Sequence, residues 1–181
     1  YMKKLLLLLL LFVSTITSCG GDDDDSIVSS SLAEEDISLA LKVHNDARAA
    51  VGVQSLVWSK TLEADALEWA KTMAKKDDMY HSSNESRTGQ GENLYMYSGF
   101  SSETSAGDGS TAWYNEIDDY IYSVMGSPEN ANVMIGHYTQ MIWSSTTEVG
   151  IGKATSASGR EFVAARYSPP GNYIGEYPYE N

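Results

Sequence analysis

Only one cysteine, Cys19, occurs in the 181 residues. No disulfide can form within the chain, so stability has to come from a packed core rather than from cross-links. Histidine is nearly as scarce, with His44, His81 and His137 the only three, so any imidazole-based metal or acid–base site can be enumerated. Positive charge is short as well: 12 Lys and Arg stand against 25 Asp and Glu, a formal net charge of −13. An acidic surface repels phosphates and opposes the attraction that dominates nucleic-acid binding, so nucleic acid is not an expected partner. The apolar run Leu5 to Val13 falls short of the ~20 residues of a membrane-spanning helix. No HExxH helix and no GxSxG elbow occurs, which removes two common signatures of hydrolases.

What is present begins with an export signal. Lys3-Lys4, the apolar run, and then Ser14-Thr15-Ile16-Thr17-Ser18-Cys19 have the three-part layout of a secretory signal peptide. Ile16-Thr17-Ser18-Cys19 also resembles the bacterial lipobox, in which the cysteine becomes the lipid-modified first residue of the mature protein. Residues 1–18 are therefore expected to be removed and Cys19 to carry a membrane anchor. Residues 19–31, with Asp22 to Asp25 followed by a Ser-rich stretch, read as a solvated tether. The acidic run resembles the signal that follows the cysteine in surface-exported lipoproteins of some Gram-negative bacteria, which implies an outer-membrane or cell-surface location. Residues 32–181 have the length of one ordinary domain.

Within that domain, Ser31 to Ala50 reads as a first helix, with Ser31 and Glu34 in a capping-box pattern. Ser59 can cap a second helix through Lys76, whose Leu62, Ala66, Trp69, Ala70 and Met73 make an apolar face. His81 falls in a loop, and a short extended piece is expected around Asn93 to Tyr97. Ser98 to Ser110 reads as a mobile Gly/Ser-rich surface loop. A helix near Thr111 to Asp119 then places Trp113 and Glu116 almost one turn apart, and Val133 to Trp143 is a further short helix. Val149 to Thr155 and Glu161 to Tyr167 read as two strands joined by Ser156 to Arg160. Helices with a late hairpin make a mixed α and β domain.

Four local patterns agree in order and type with one family. His44-Asn45-Asp46-Ala47-Arg48 looks like an HNxxR helix motif, Gly91-Glu92-Asn93-Leu94 a GENL motif, Gly136 through Thr146 a first signature, and Phe162 through Tyr173 a second. The domain thus resembles the CAP superfamily of cysteine-rich secretory proteins, antigen 5 and plant pathogenesis-related proteins. The resemblance implies an α+β fold, a three-layer α-β-α sandwich with a small central antiparallel sheet, and a third strand near Glu92 to Tyr97. Ala165 or Ala164 stands where many members carry a half-cystine.

Carried over position by position, the family's cleft tetrad falls on His81, Glu92, Glu116 and His137, with Asn93, Trp113, Tyr138 and Gln140 beside it. Two imidazoles with carboxylates nearby suit Zn²⁺, or another divalent cation such as Mg²⁺. In this reading His81 and His137 are the metal ligands, and the carboxylates ligate directly or accept the second imidazole proton. Three functions remain open: a surface-displayed binder of a lipid, sterol or glycan; a metal-dependent extracellular hydrolase using Glu92 and Glu116; and a protein-interaction module. The resemblance does not imply an enzyme. The tetrad is equally able to serve as a hydrogen-bonded structural cluster. His44, Asn45 and Arg48 lie among apolar neighbours and are read as structural, and Trp58, Trp69 and Trp143 as core. Tyr138, Trp113 and Tyr114 are candidates to wall a groove, and Ile117, Ile121, Val124, Met125 and Met134 to line an apolar one. Thr139 and Gln140 are placed to donate to a ligand, to cap the helix, or to face solvent.

Overall fold

The computed structural model describes residues 28–29, 32–99 and 102–181. The expected signal peptide, Cys19 and the acidic run lie outside the described residues. Among the described residues no helix is long and apolar enough to cross a membrane.

A sheet occupies the middle layer. Its strands are β1 (Val28–Ser29), β2 (Val57–Trp58), β3 (Gly91–Ser98), β4 (Glu148–Thr155) and β5 (Arg160–Ser168). The order is β1-β4-β5-β3 with antiparallel pairings, and β2 adds a short parallel pairing to β4. Side chains alternate between the two faces, so the long strands β3, β4 and β5 feed two cores. Val149, Ile151, Val163, Ala165 and Tyr167 pack with Ile37 and Ala40 of α1 (Glu34–Ala50), Ala106 and Trp113 of α3 (Ser105–Tyr114), and Met141 of α4 (Gly136–Met141). On the other face Leu94, Ala154, Phe162 and Ala164 pack with Ala66, Ala70, Met73 and Ala74 of α2 (Lys60–Lys76). This is the three-layer α-β-α sandwich, built without a cross-link among the described residues.

Helix α2 sits so close to the sheet because β4 offers no side chain beneath it at Gly150 and Gly152. A Cβ at Gly150 would collide with the backbone of Leu62 and Glu63, and one at Gly152 with the backbone of Leu67. Both glycines are needed for their lack of bulk rather than for an unusual φ.

Several local expectations need correction. Helix α1 starts at Glu34 with Ala33 at the cap position and no side-chain cap, and Ser31, on which the expected capping box was anchored, lies outside the described residues. Ser59 does occupy the cap position of α2, but its side chain makes no capping bond. The supposed loop Ser98 to Ser110 is helical from Ser105, and its Ser105, Ala106, Gly107, Gly109 and Ser110 are buried. Low helix propensity is overridden there by packing and by a cap from another helix. The Asp36 carboxylate of α1 accepts the Ala106 and Gly107 amides at 3.1 and 2.8 Å, satisfying donors that the first turn of α3 cannot pair internally. The helix expected over Thr111 to Asp119 is instead the end of α3 followed by a 3₁₀ turn, Asn115–Asp118.

Candidate functional site

The four tetrad residues come as two His–Glu pairs. His81 lies in the loop after α2, and Glu92 is the second residue of β3, directly opposite Arg166 in the β3–β5 register. Glu92 accepts from His81 Nδ1 at 2.7 Å, from the Ser82 amide at 2.9 Å, from Ser82 Oγ at 2.7 Å and from Arg166 Nη1 at 3.0 Å. Burial pushes the Glu92 carboxyl up, but the bonds from His81 and Ser82 and the Arg166 charge outweigh it, and its pKa lies below the ordinary value. The Glu92 side chain is 1% exposed and that of His81 58%, so a buried anion holds a surface imidazole.

His137 is the second residue of α4, and Glu116 lies in the 3₁₀ turn after α3. Glu116 Oε1 accepts from His137 Nδ1 at 2.6 Å, while Oε2 accepts the amides of His137 and Tyr138 at 2.9 and 3.0 Å. One carboxylate therefore caps the first turn of α4 and orients its imidazole. Trp113 lies beneath that ring, with centroids 6.3 Å apart and planes at 27°, and its Nε1–H donates to the Leu94 carbonyl at 2.8 Å. Trp113 and Tyr138 are buried core residues rather than open groove walls.

Consecutive residues of β3 tie the pairs together. Glu92 serves His81, while Asn93 Nδ2 on the opposite face donates to the His137 carbonyl at 3.0 Å and to the Tyr167 hydroxyl at 3.1 Å. Tyr167 in turn donates to His44 Nε2 at 2.8 Å, and His44 Nδ1–H goes to the Ala40 carbonyl at 2.8 Å. Burial lowers the His44 pKa to about 4, so this histidine is a neutral scaffold member, in line with its structural reading. Arg48 acts on the same helix from below: its guanidinium donates to the carbonyls of Gln54, Met141, Trp143 and Thr146. Gln140 and Thr139 do not face solvent. Gln140 Oε1 accepts the Gly171 amide at 3.0 Å and Thr139 Oγ1 donates to Asn172 Oδ1 at 2.8 Å, fixing the second signature against the first.

Each tetrad imidazole gives its Nδ1–H to a carboxylate, which places the lone pair on Nε2. Among the described residues neither Nε2 has a hydrogen-bond partner. The same residues contain no group of three or more His, Cys, Asp or Glu gathered to hold a metal ion. Each Nε2 is thus free to ligate, and two imidazoles by themselves would not make a closed structural site.

Residues 41–167 match the model of the cysteine-rich secretory protein family, the CAP family. The chain belongs to this family. Human Golgi-associated plant pathogenesis-related protein 1 is 35% identical over 140 residues, covering 77% of this chain and 86% of that protein. Among solved structures, that of Na-ASP-1 superposes with a TM-score of 0.72 at 28% identity, over 81% of this chain and 41% of the other. The structure of NaASP2 with Zn²⁺ gives 0.71 at 26% identity, over 83% and 87% of the two chains. As a family of secretory proteins it agrees with the export expected from the N-terminal sequence.

Sequence reasoning missed Arg166 and Ser82 as partners of Glu92. A charge within the otherwise apolar Phe162 to Tyr167 was the available signal, because a buried strand keeps an arginine only when an anion faces it.

Proposed function

We propose that this CAP domain is an exported, non-enzymatic binding module that holds a divalent cation, Zn²⁺ foremost, through Nε2 of His81 and His137. The observation that carries the reading is the shared arrangement of the two pairs, each Nδ1–H held by a carboxylate and each Nε2 unengaged, which is how proteins prepare histidine for a metal. The structure of a 26% identical relative, NaASP2, with Zn²⁺ supports the choice of ion. When bound, the ion supplies Lewis acidity and open positions for a ligand. The chain's own residues hold and orient the imidazoles.

Hydrolysis is disfavoured by how the carboxylates are used. Glu92 accepts four hydrogen bonds and Glu116 three, which occupies the oxygens that would have to reach and orient a water. We place the domain outside the cell, tethered through acylated Cys19. Thermal unfolding tests the metal reading: Zn²⁺ at a hundredfold excess over its Kd adds about 2.7 kcal/mol of stability by mass action. That shift is expected in the wild type and absent in His137→Ala; equal shifts in both refute it.

A second reading rests on exposed apolar side chains near the expected groove. Ile121 and Met134 are 55% and 68% exposed, and Ile174 nearby is 80% exposed, a surface suited to a lipid or sterol. Competition with a labelled fatty acid or sterol checks it, and no saturable uptake removes it.

A further inference from the structure

The exposed apolar side chains of the loop after α3 and of the C-terminal segment stand where the chain holds no Lys or Arg. None occurs between Arg87 and Lys153, and none after Arg166. The fold brings parts of these two stretches together. The Met125 amide donates to the Glu176 carbonyl and the Gly175 amide to the Met125 carbonyl, each at 2.9 Å, so the C-terminal segment runs beside the loop that follows the 3₁₀ turn. Tyr177 stacks on Tyr122 with centroids 5.0 Å apart, and Ile174 packs on Gly126. Asn130 closes the loop on itself: its Oδ1 accepts the Ile121 amide at 2.9 Å, its Nδ2 donates to the Ile121 carbonyl at 2.7 Å, and its carbonyl accepts the Val133 amide at 3.4 Å.

One folded unit thus presents Ile121, Val133, Met134, Tyr173, Ile174 and Tyr177, all exposed. Asp118, Asp119, Glu129 and Glu176 are exposed on the same segments, and no salt bridge among the described residues uses any of the four. Single apolar residues are ordinary on a surface, but a group of them rimmed by polar side chains marks an interaction site. Charge decides what covers it. Unpaired carboxylates repel a phosphate, a fatty-acid carboxylate or an anionic headgroup. A second copy docked about a twofold axis would set the same carboxylates against one another, and the chain's own Asp22 to Asp25 run is acidic too. Lys or Arg flanking apolar side chains satisfies both features at once.

We propose that this surface docks a cationic amphipathic peptide segment, with its apolar side chains on Ile121, Met134, Ile174 and Tyr177 and its Lys or Arg on Asp118, Asp119, Glu129 and Glu176. The docking is independent of the metal reading, because none of these eight residues belongs to the tetrad. It also differs from lipid capture by the same apolar side chains, since a neutral lipid makes no use of the carboxylates.

The test is fluorescence anisotropy of the purified protein with a dye-labelled Leu/Lys peptide that is amphipathic as a helix. A Leu/Glu analogue and a Leu/Lys peptide of the same composition in scrambled order serve as controls. Saturable binding of the amphipathic Leu/Lys peptide is expected, weakening as salt rises, with both controls bound at least about tenfold more weakly. Affinity should fall by about tenfold or more when Met134→Ser is combined with Ile174→Ser, and again when Glu129→Lys is combined with Glu176→Lys. Glu68→Lys, an exposed charge reversal on α2, should leave it unchanged. All five positions are exposed, so circular dichroism should report the same fold throughout. No saturable binding, equal binding of the Leu/Glu analogue, or a loss in Glu68→Lys equal to that of the Glu129 and Glu176 reversals would each overturn the proposal. Uptake of a labelled neutral sterol without any binding of the peptide would overturn it too and assign the surface to a lipid.

Discussion

Acidification should destabilise this domain through His44, which the fold holds neutral. Its ring is buried between the Ala40 carbonyl and the Tyr167 hydroxyl, and burial depresses its pKa from the ordinary 6.5 to about 4. Between those values the unfolded chain binds a proton that the native state refuses. The native state is therefore fully favoured above pH 6.5 and loses ground as pH falls toward 4. A proton bound at 6.5 in one state and near 4 in the other corresponds to about 3 kcal/mol in full, of which about 2 kcal/mol is gone by pH 5. Urea unfolding at pH 7.5, 6, 5 and 4.5 measures the loss, and the same series on His44→Gln isolates its source. The variant cannot ionise there, so its stability is lower at pH 7.5 but should fall less steeply, with the carboxylates contributing equally to both proteins. Parallel profiles for wild type and His44→Gln would refute the claim that this histidine is buried neutral.

Gly152→Ala would drive a methyl into the Leu67 backbone and push α2 off the sheet, so a loss of about 2–3 kcal/mol is expected in thermal unfolding. Gly159 and Gly52 stand in open space at positive φ, so alanine at either costs about 1 kcal/mol through backbone strain alone, and only Gly152→Ala should perturb α2 amide exchange. Asp36→Ala removes the carboxylate that caps α3, costing about 1–2 kcal/mol and loosening Ser105 to Ser110 in hydrogen exchange. Glu116→Gln should reduce Zn²⁺ affinity by about 10–100-fold in calorimetry while both imidazoles remain, since it weakens the partner that fixes the His137 ring.

How far the sequence disclosed the fold differs by element. The period of Leu62, Ala66, Ala70 and Met73 located α2, and strands β4 and β5 fall within a residue or so of their expected ends. Helix α3 was hidden because its Ser and Gly residues have turn chemistry. They are helical because the bare Cα of Gly107 admits Leu39 of α1, Gly109 admits Tyr95 of β3, and Asp36 supplies the cap from a distance of some seventy residues in sequence. No local pattern carries such information. The site divides in the same way. The identities of His81, Glu92, Glu116 and His137 followed from motif resemblance, but which carboxylate holds which imidazole, and by which nitrogen, depends on strand register and on the entry of α4. The burial of Gln140 was equally out of reach, since its partner amide at Gly171 is far along the chain. His44 and Arg48 were read correctly as structural from their apolar neighbours.

Isothermal titration of Zn²⁺ into the wild type, His81→Ala and His137→Ala tests the central claim most directly. Coordination through both Nε2 atoms predicts one saturable site per chain in the wild type, lost in either variant while the fold persists by circular dichroism. Equal heats in all three proteins, or a wild type that takes up no Zn²⁺, would contradict it.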